Sequence, residues 1–259
     1  MIRTTPKLGR RFSLIAGIAG AVILMLGCVL PAGAMETVPP SCKLYTGEIS
    51  LESLKQRENE LKDELLHSAS AAVGDHCEMA NIHYKLARIL PDLRVQYLNS
   101  CIGHSEKAIH RDSRSGAAYF FKGLCLGRLG ELKGIWSSLK IIDPVRENME
   151  AAVKINPAID SGGPHRALGR LYFKLPGILG GDIKKSIDHL LKAVDYGPQY
   201  WENHFFLAES YFENHQYLLA RTELQSAMNI AAKLNDDPDS KTHTVEFQAL
   251  MKKIEHNLH

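Results

Sequence analysis

The chain is short of what a β-structure or a cofactor-dependent enzyme would need. Nowhere in its 259 residues is there a sustained alternating run of β-branched side chains, so a sheet has no pattern from which to form. No Cys-x-x-Cys or Cys-x-x-Cys-His occurs, which removes thioredoxin-type redox chemistry and covalent haem attachment. Twelve histidines are present, yet none stands four residues from another, the spacing that would put two imidazoles on one helix face to hold a zinc ion. Gly-x-Ser-x-Gly is missing, and so is the Gly-Lys-Ser/Thr ending of a phosphate loop. No catalytic site, metal or cofactor is expected, and the reading is non-enzymatic.

A dominant charge is lacking too. Lysine and arginine number 31 against 29 aspartates and glutamates. Arg3, Lys7, Arg10 and Arg11 fall in the first 34 residues, which hold no acid; setting these four aside leaves 27 basic against 29 acidic side chains, a net −2. Nucleic acid is therefore a poor partner on electrostatic grounds.

Those first residues have their own logic. A basic start is followed by an uncharged apolar run from Phe12 to Leu30 and then by Pro31-Ala32-Gly33-Ala34, the three parts of a secretory signal peptide. Cleavage after Ala34 is the expectation, with residues 35–48, carrying Pro39-Pro40 and Gly47, as a flexible tether. Met25-Leu26-Gly27-Cys28 approximates a lipobox and gives the alternative, a lipid on Cys28 as the one attachment to a membrane. Either route leads to the periplasm. Four cysteines remain, Cys42, Cys77, Cys101 and Cys125. In an oxidising compartment they allow up to two disulfides in three connectivities, the alternative being free thiols on apolar helix faces.

From Ile49 onward apolar residues recur at three- and four-residue spacing. This predicts helices near 50–70, 76–90, 93–111, 115–130, 135–155, 163–175, 182–196, 200–214, 216–234 and 241–257. Within them a pattern repeats: large, small, two free positions, aromatic, then small, large and small in a second helix, then proline. Leu168-Gly169-Arg170-Leu171-Tyr172 with Ser186, Leu190, Ala193 and Pro198 is the fullest copy. Leu207-Ala208-Glu209-Ser210-Tyr211 with Ala220, Leu224 and Ala227 follows. Looser copies are centred on Gly123 and on Ala80 with His83. The expected fold of residues 49–259 is all-α, a tetratricopeptide-like (TPR-like) solenoid of about four helical hairpins with an extra C-terminal helix.

One stretch is more particular. Gly162-Gly163-Pro164-His165-Arg166-Ala167-Leu168-Gly169-Arg170-Leu171-Tyr172 is followed by Leu175-Pro176-Gly177, Gly180-Gly181-Asp182, Lys184-Lys185-Ser186, Lys192-Ala193 and Asn203. From about Gly116 to Ala227 the chain resembles the TatT family, the T-components associated with tripartite ATP-independent periplasmic (TRAP) transporters. The resemblance implies a periplasmic, often lipid-anchored TPR-like protein that contacts a substrate-binding protein and self-associates around a central opening. A general envelope TPR scaffold with no small ligand is the alternative.

Superposing the repeats assigns Arg128, Arg166, Arg170, Lys174, Trp201, His204 and Glu209 to a groove for a protein partner or a small anionic or apolar ligand. Arg166, Arg170 and Lys174 stand four residues apart and form a basic stripe on one helix face, which a carboxylate or phosphate could answer. The alternative is pairing with Glu209 and Glu213. Asp182 is expected to cap the helix that follows it.

Overall fold

The fold is taken from a computed structural model, which describes residues 42, 44–47, 49–67, 73–133, 139–234 and 243–259. The segment expected to be a signal peptide (residues 1–34, with Cys28) and most of the expected tether lie outside the described residues. The described residues contain ten α-helices and no strand. They are α1 (Leu51–His67), α2 (Val73–Ile89), α3 (Arg94–Arg111), α4 (Gly116–Lys133), α5 (Ile142–Ile155), α6 (Ile159–Lys174), α7 (Ile183–Tyr196), α8 (Trp201–Glu213), α9 (Tyr217–Lys233) and α10 (Thr244–Leu258).

Four antiparallel hairpins, α2–α3, α4–α5, α6–α7 and α8–α9, follow one another, with α1 packed on α2 and α10 on α9. Each first helix also packs on the first helix of the next hairpin, whereas the second helices have no comparable contact with one another. The chain is therefore a TPR-like solenoid that curls with α2, α4, α6 and α8 on its inner side.

The small residues of the repeat account for the closeness of each hairpin. A Cβ on Gly169 would lie 2.5 Å from Leu190 Cγ, so α6 and α7 could not approach as they do with any larger residue there. Ala80 and Ala208 are fully buried at the same step of their hairpins. Two apolar clusters result. One runs from Leu54 to Tyr172, through α1 to α6; the other runs from Ile187 to Ile254, through α7 to α10.

Two disulfides staple the N-terminal half. Cys42 pairs with Cys77, tying the segment before α1 to α2, with Cα atoms 5.4 Å apart. Cys101 pairs with Cys125, tying α3 to α4 at 6.4 Å. The second bridge joins consecutive hairpins. The α1 helix is held by charge as well: Glu58 is buried among Lys55, Lys62 and His83, at 3.0, 2.8 and 3.4 Å. The His83 contact leads these in holding its carboxyl far below the usual range, against the opposing effect of burial.

The entry to α6 departs from a plain helix. Asp160, Ser161 and Gly162 have φ of 49°, 55° and 81°, so regular right-handed turns begin at Gly163. Gly162 meets a double demand: its φ is left-handed, and a Cβ would lie 2.8 Å from Ala193 O. Pro164 is tolerated because it falls in the first turn of the right-handed part. At the start of α7 the Asp182 carboxylate accepts from the backbone N–H groups of Lys184 and Lys185, the expected cap.

Candidate groove and its charged inner face

The left-handed turn before α6 is held by Arg166. Its guanidinium is buried and donates to the Asp160 carboxylate at 2.7 Å, to the Asp160 carbonyl at 3.2 Å and to Asn203 Oδ1 at 3.1 Å. It stacks over Tyr200 with 4.3 Å to the ring centroid and lies 3.5 Å from Glu202. Asn203 Nδ2 in turn donates to the carbonyls of Ser161, Ala193 and Gly197 at 2.9, 2.8 and 3.0 Å. Burying a guanidinium is costly unless carboxylates and hydrogen bonds answer it. Here Asp160, Glu202 and Asn203 do so, and the knot fixes the third hairpin against the fourth.

Arg170, one turn on, pairs with Glu209 of α8 and lies over the rings of Phe206 and Phe173, at 4.0 and 5.1 Å. Lys174 is exposed and leans over Phe173. The basic stripe on α6 is thus graded: Arg166 is enclosed, Arg170 is bridged to the next hairpin, and Lys174 faces outward.

The other assigned residues divide. Arg128 is exposed on the inner side of α4; it pairs with Glu131 at 3.1 Å and interacts with Tyr84 of α2, which together hold its charge firmly. Trp201 and His204 do not line the inner face. Trp201 is 3% exposed and packs against His243 and Phe247 beneath α10. His204 points between α8 and α9, where its Nδ1 meets Glu223 at 2.7 Å and its Nε2 meets the Pro198 carbonyl at 3.0 Å. The physical reason is shared. Both lie on the side of α8 that must cover the second helix and α10, so burial claims them.

His204 belongs to a set that the spacing rule missed. Four residues before the small residue of three hairpins stands a histidine, and each bonds the second helix of its own hairpin. His76 Nδ1 is 3.0 Å from His104 Nδ1, His165 Nδ1 is 2.9 Å from His189 Nδ1, and His204 meets Glu223. Burial, then Arg111 and Lys107, pushes His76 down to about 4, and burial, then the neighbouring His83 and His76, pushes His104 to about 3. Burial and the neighbouring His189 push His165 to about 4. Burial opposes the charge on His204, but Glu223 and the Pro198 carbonyl outweigh it and raise the group. Each pair fastens the two helices of its hairpin; among the described residues no group of three or more His, Cys, Asp or Glu is disposed to hold a metal ion.

Sequence reasoning also missed Tyr84, Lys85 and Tyr200. Lys85 on α2 is half-buried and its ammonium is pushed down by burial, with Asp160 the carboxylate that partly offsets this. The same counting that gave Arg128 and Lys174, applied to Ala80, would have found it.

Fold and inner face together define a TPR-like helical solenoid, an architecture that presents a surface for protein partners. No family model matches the chain. Among curated proteins it is similar to Regulator of microtubule dynamics protein 1 of Bos taurus, at 21% identity over 56% of this chain and 50% of the relative. The Homo sapiens counterpart is 19% identical over 63% of this chain and 56% of its own length. The chain thus spans about half the length of the curated relatives it matches. Among solved structures it is similar to a MamA RS-1 ArsTM double mutant, with TM-score 0.48 and 18% identity, covering 72% of this chain and 89% of that one. A thermophilic TPR protein of Thermus thermophilus gives TM-score 0.46 and 18% identity, covering 75% of this chain and 98% of that one.

Proposed function

We propose that the chain is a non-enzymatic, exported TPR-like scaffold whose inner face receives a segment of a protein partner. The observation that carries this reading is the inner face itself. Side chains there from α2, α4, α6 and α8 are aromatic or charged and only half-buried, among them Tyr84, Phe173, Phe206 and Arg170. Arg170, Phe206 and Tyr84 help to join the hairpins, and the half of each that stays exposed leaves aromatic and charged surface for a bound segment to cover. Export is supported by the Cys42–Cys77 and Cys101–Cys125 bridges, which suit an oxidising compartment such as the periplasm.

The finer reading is a TatT-type component that contacts the substrate-binding protein of a TRAP transporter. It is supported by the knot of Asp160, Gly162, Arg166 and Asn203, because these residues fall within the resemblance and a plain TPR hairpin does not require them. Photo-crosslinking tests both levels. A crosslinker at Phe173 or Phe206 in the native envelope should capture one defined protein, and a crosslinker at exposed Leu218 on α9 should not. A TRAP substrate-binding protein as the captured species supports the finer reading, and an envelope-assembly protein overturns it. No selective capture from the inner face overturns the scaffold reading itself.

A further inference from the structure

Five residues after Ala80, Gly123, Gly169 and Ala208 stand Lys85, Arg128, Lys174 and Glu213. They hold one seat in four successive hairpins. Because α2, α4, α6 and α8 pack in that order, the four side chains make a single row along the inner face: three cations, then one acid. The more obvious cations are already answered inside the fold, Arg166 by Asp160 and Glu202 and Arg170 by Glu209. Lys174 has no ion pair among the described residues, and Lys85 has none within 4 Å, feeling only the Asp160 carboxylate that is already bonded to Arg166. Arg128 interacts with Tyr84 of α2 and keeps an exposed partner, Glu131, on its own helix.

We propose that this row reads an acidic, extended segment of a protein partner, with one carboxylate opposite each of Lys85, Arg128 and Lys174 and a basic residue opposite Glu213. The proposal rests on the scaffold reading above and specifies its guest. Packed helices lie about 8–10 Å apart, and a chain extended as a polyproline-II helix advances about 3.1 Å per residue with three residues per turn, so residues three apart face the same way. Every third residue of such a segment therefore comes level with the next hairpin. A small carboxylate could touch one of these seats but not three, which together span roughly 20 Å on the same spacing. Lys85 is the anchor: a half-buried ammonium gains most from an arriving carboxylate, since the pair forms where water is already partly excluded. Glu213 sets direction, because an acidic residue at that end would face a like charge.

The test is fluorescence anisotropy on the full purified chain with labelled synthetic peptides. The probe carries glutamate at three positions spaced by three and lysine three residues further on. It is compared with a version bearing glutamine for glutamate and with a version whose lysine is replaced by a fourth glutamate. The proposal expects the probe to bind at least tenfold tighter than the glutamine version and to weaken as salt rises. The fourth glutamate should cost several-fold, and Glu213→Lys should reverse that preference. Lys174→Gln and Arg128→Gln alter exposed side chains, so the fold is retained, and each should weaken the probe about three- to tenfold. Equal binding of the acidic and glutamine peptides overturns the proposal, as does binding indifferent to both substitutions. If the peptides fail while crosslinking from Phe173 still captures a defined partner, the acidic guest falls and the scaffold stands. If both fail, both fall.

Discussion

At the scale of single residues, the polar knot before α6 concentrates several buried hydrogen bonds on Arg166 and Asn203. Asn203 donates to three carbonyls and accepts from Arg166, so Asn203→Ala strands several buried groups at once. Each unsatisfied buried group costs about 1–3 kcal/mol, and the expected loss is about 3 kcal/mol or more, read as a lower urea midpoint with the helical circular dichroism signal intact at low denaturant. Gly169→Leu should be worse, because even the first atom of the new side chain would collide with Leu190. The two positions differed in how openly the sequence announced them. Gly169 was legible because a small residue flanked by large ones repeats along the chain. The roles of Asp160 and Ser161 were not, because a left-handed backbone at non-glycine residues depends on Arg166 and Asn203 arriving from elsewhere. Trp201 and His204 were misplaced for a related reason: the repeat gives the register along a helix but not what α10 will cover.

Among elements, the helices and their pairing were legible almost throughout, since a 3.6-residue period is a local property and the small residues mark each crossing. The disulfide connectivity was not, as three pairings satisfied the same sequence and only the stacking of α3 on α4 brings Cys101 to Cys125. That bridge carries a prediction. The loops closed by the two disulfides span 35 and 24 residues, for which chain entropy gives about 3–4 kcal/mol each. Replacing Cys101 and Cys125 together with alanine should lower the thermal midpoint clearly, and hydrogen exchange should rise in α3 and α4 more than in α8 and α9. Uniform loss of protection along the chain would mean that the bridge merely adds to global stability.

For the molecule as a whole, the histidine fastenings predict an acid response. The folded-state values of His76, His104 and His165 lie below the ordinary value of about 6.5, so the unfolded chain binds protons first. Their contribution is complete above about pH 6.5 and drains away as pH falls toward about 4. His204 has the opposite sign: its raised value gives stability below about 6.5 that is lost as pH rises through its folded value. Burial lowers His189 as well, and four lowered groups against one raised one make the net slope acid-labile. Between pH 6.5 and 5, where carboxylates remain ionised, the urea midpoint should fall. The double substitution His104→Asn and His189→Asn should flatten that fall. An unchanged slope in the double variant would show that other groups carry it.

The two apolar clusters meet within the third hairpin, where Leu190 packs on Gly169 and polar bonds cross beside it: His165 to His189, Ser186 to the Gly169 carbonyl, and Arg166 to Asn203. Directional bonds of this kind rupture over a very short extension, whereas greasy surfaces yield gradually as they slide. A molecule stretched between its ends in an optical trap should therefore lengthen in two abrupt rips rather than one, the disulfide-free C-terminal hairpins letting go ahead of the stapled N-terminal ones.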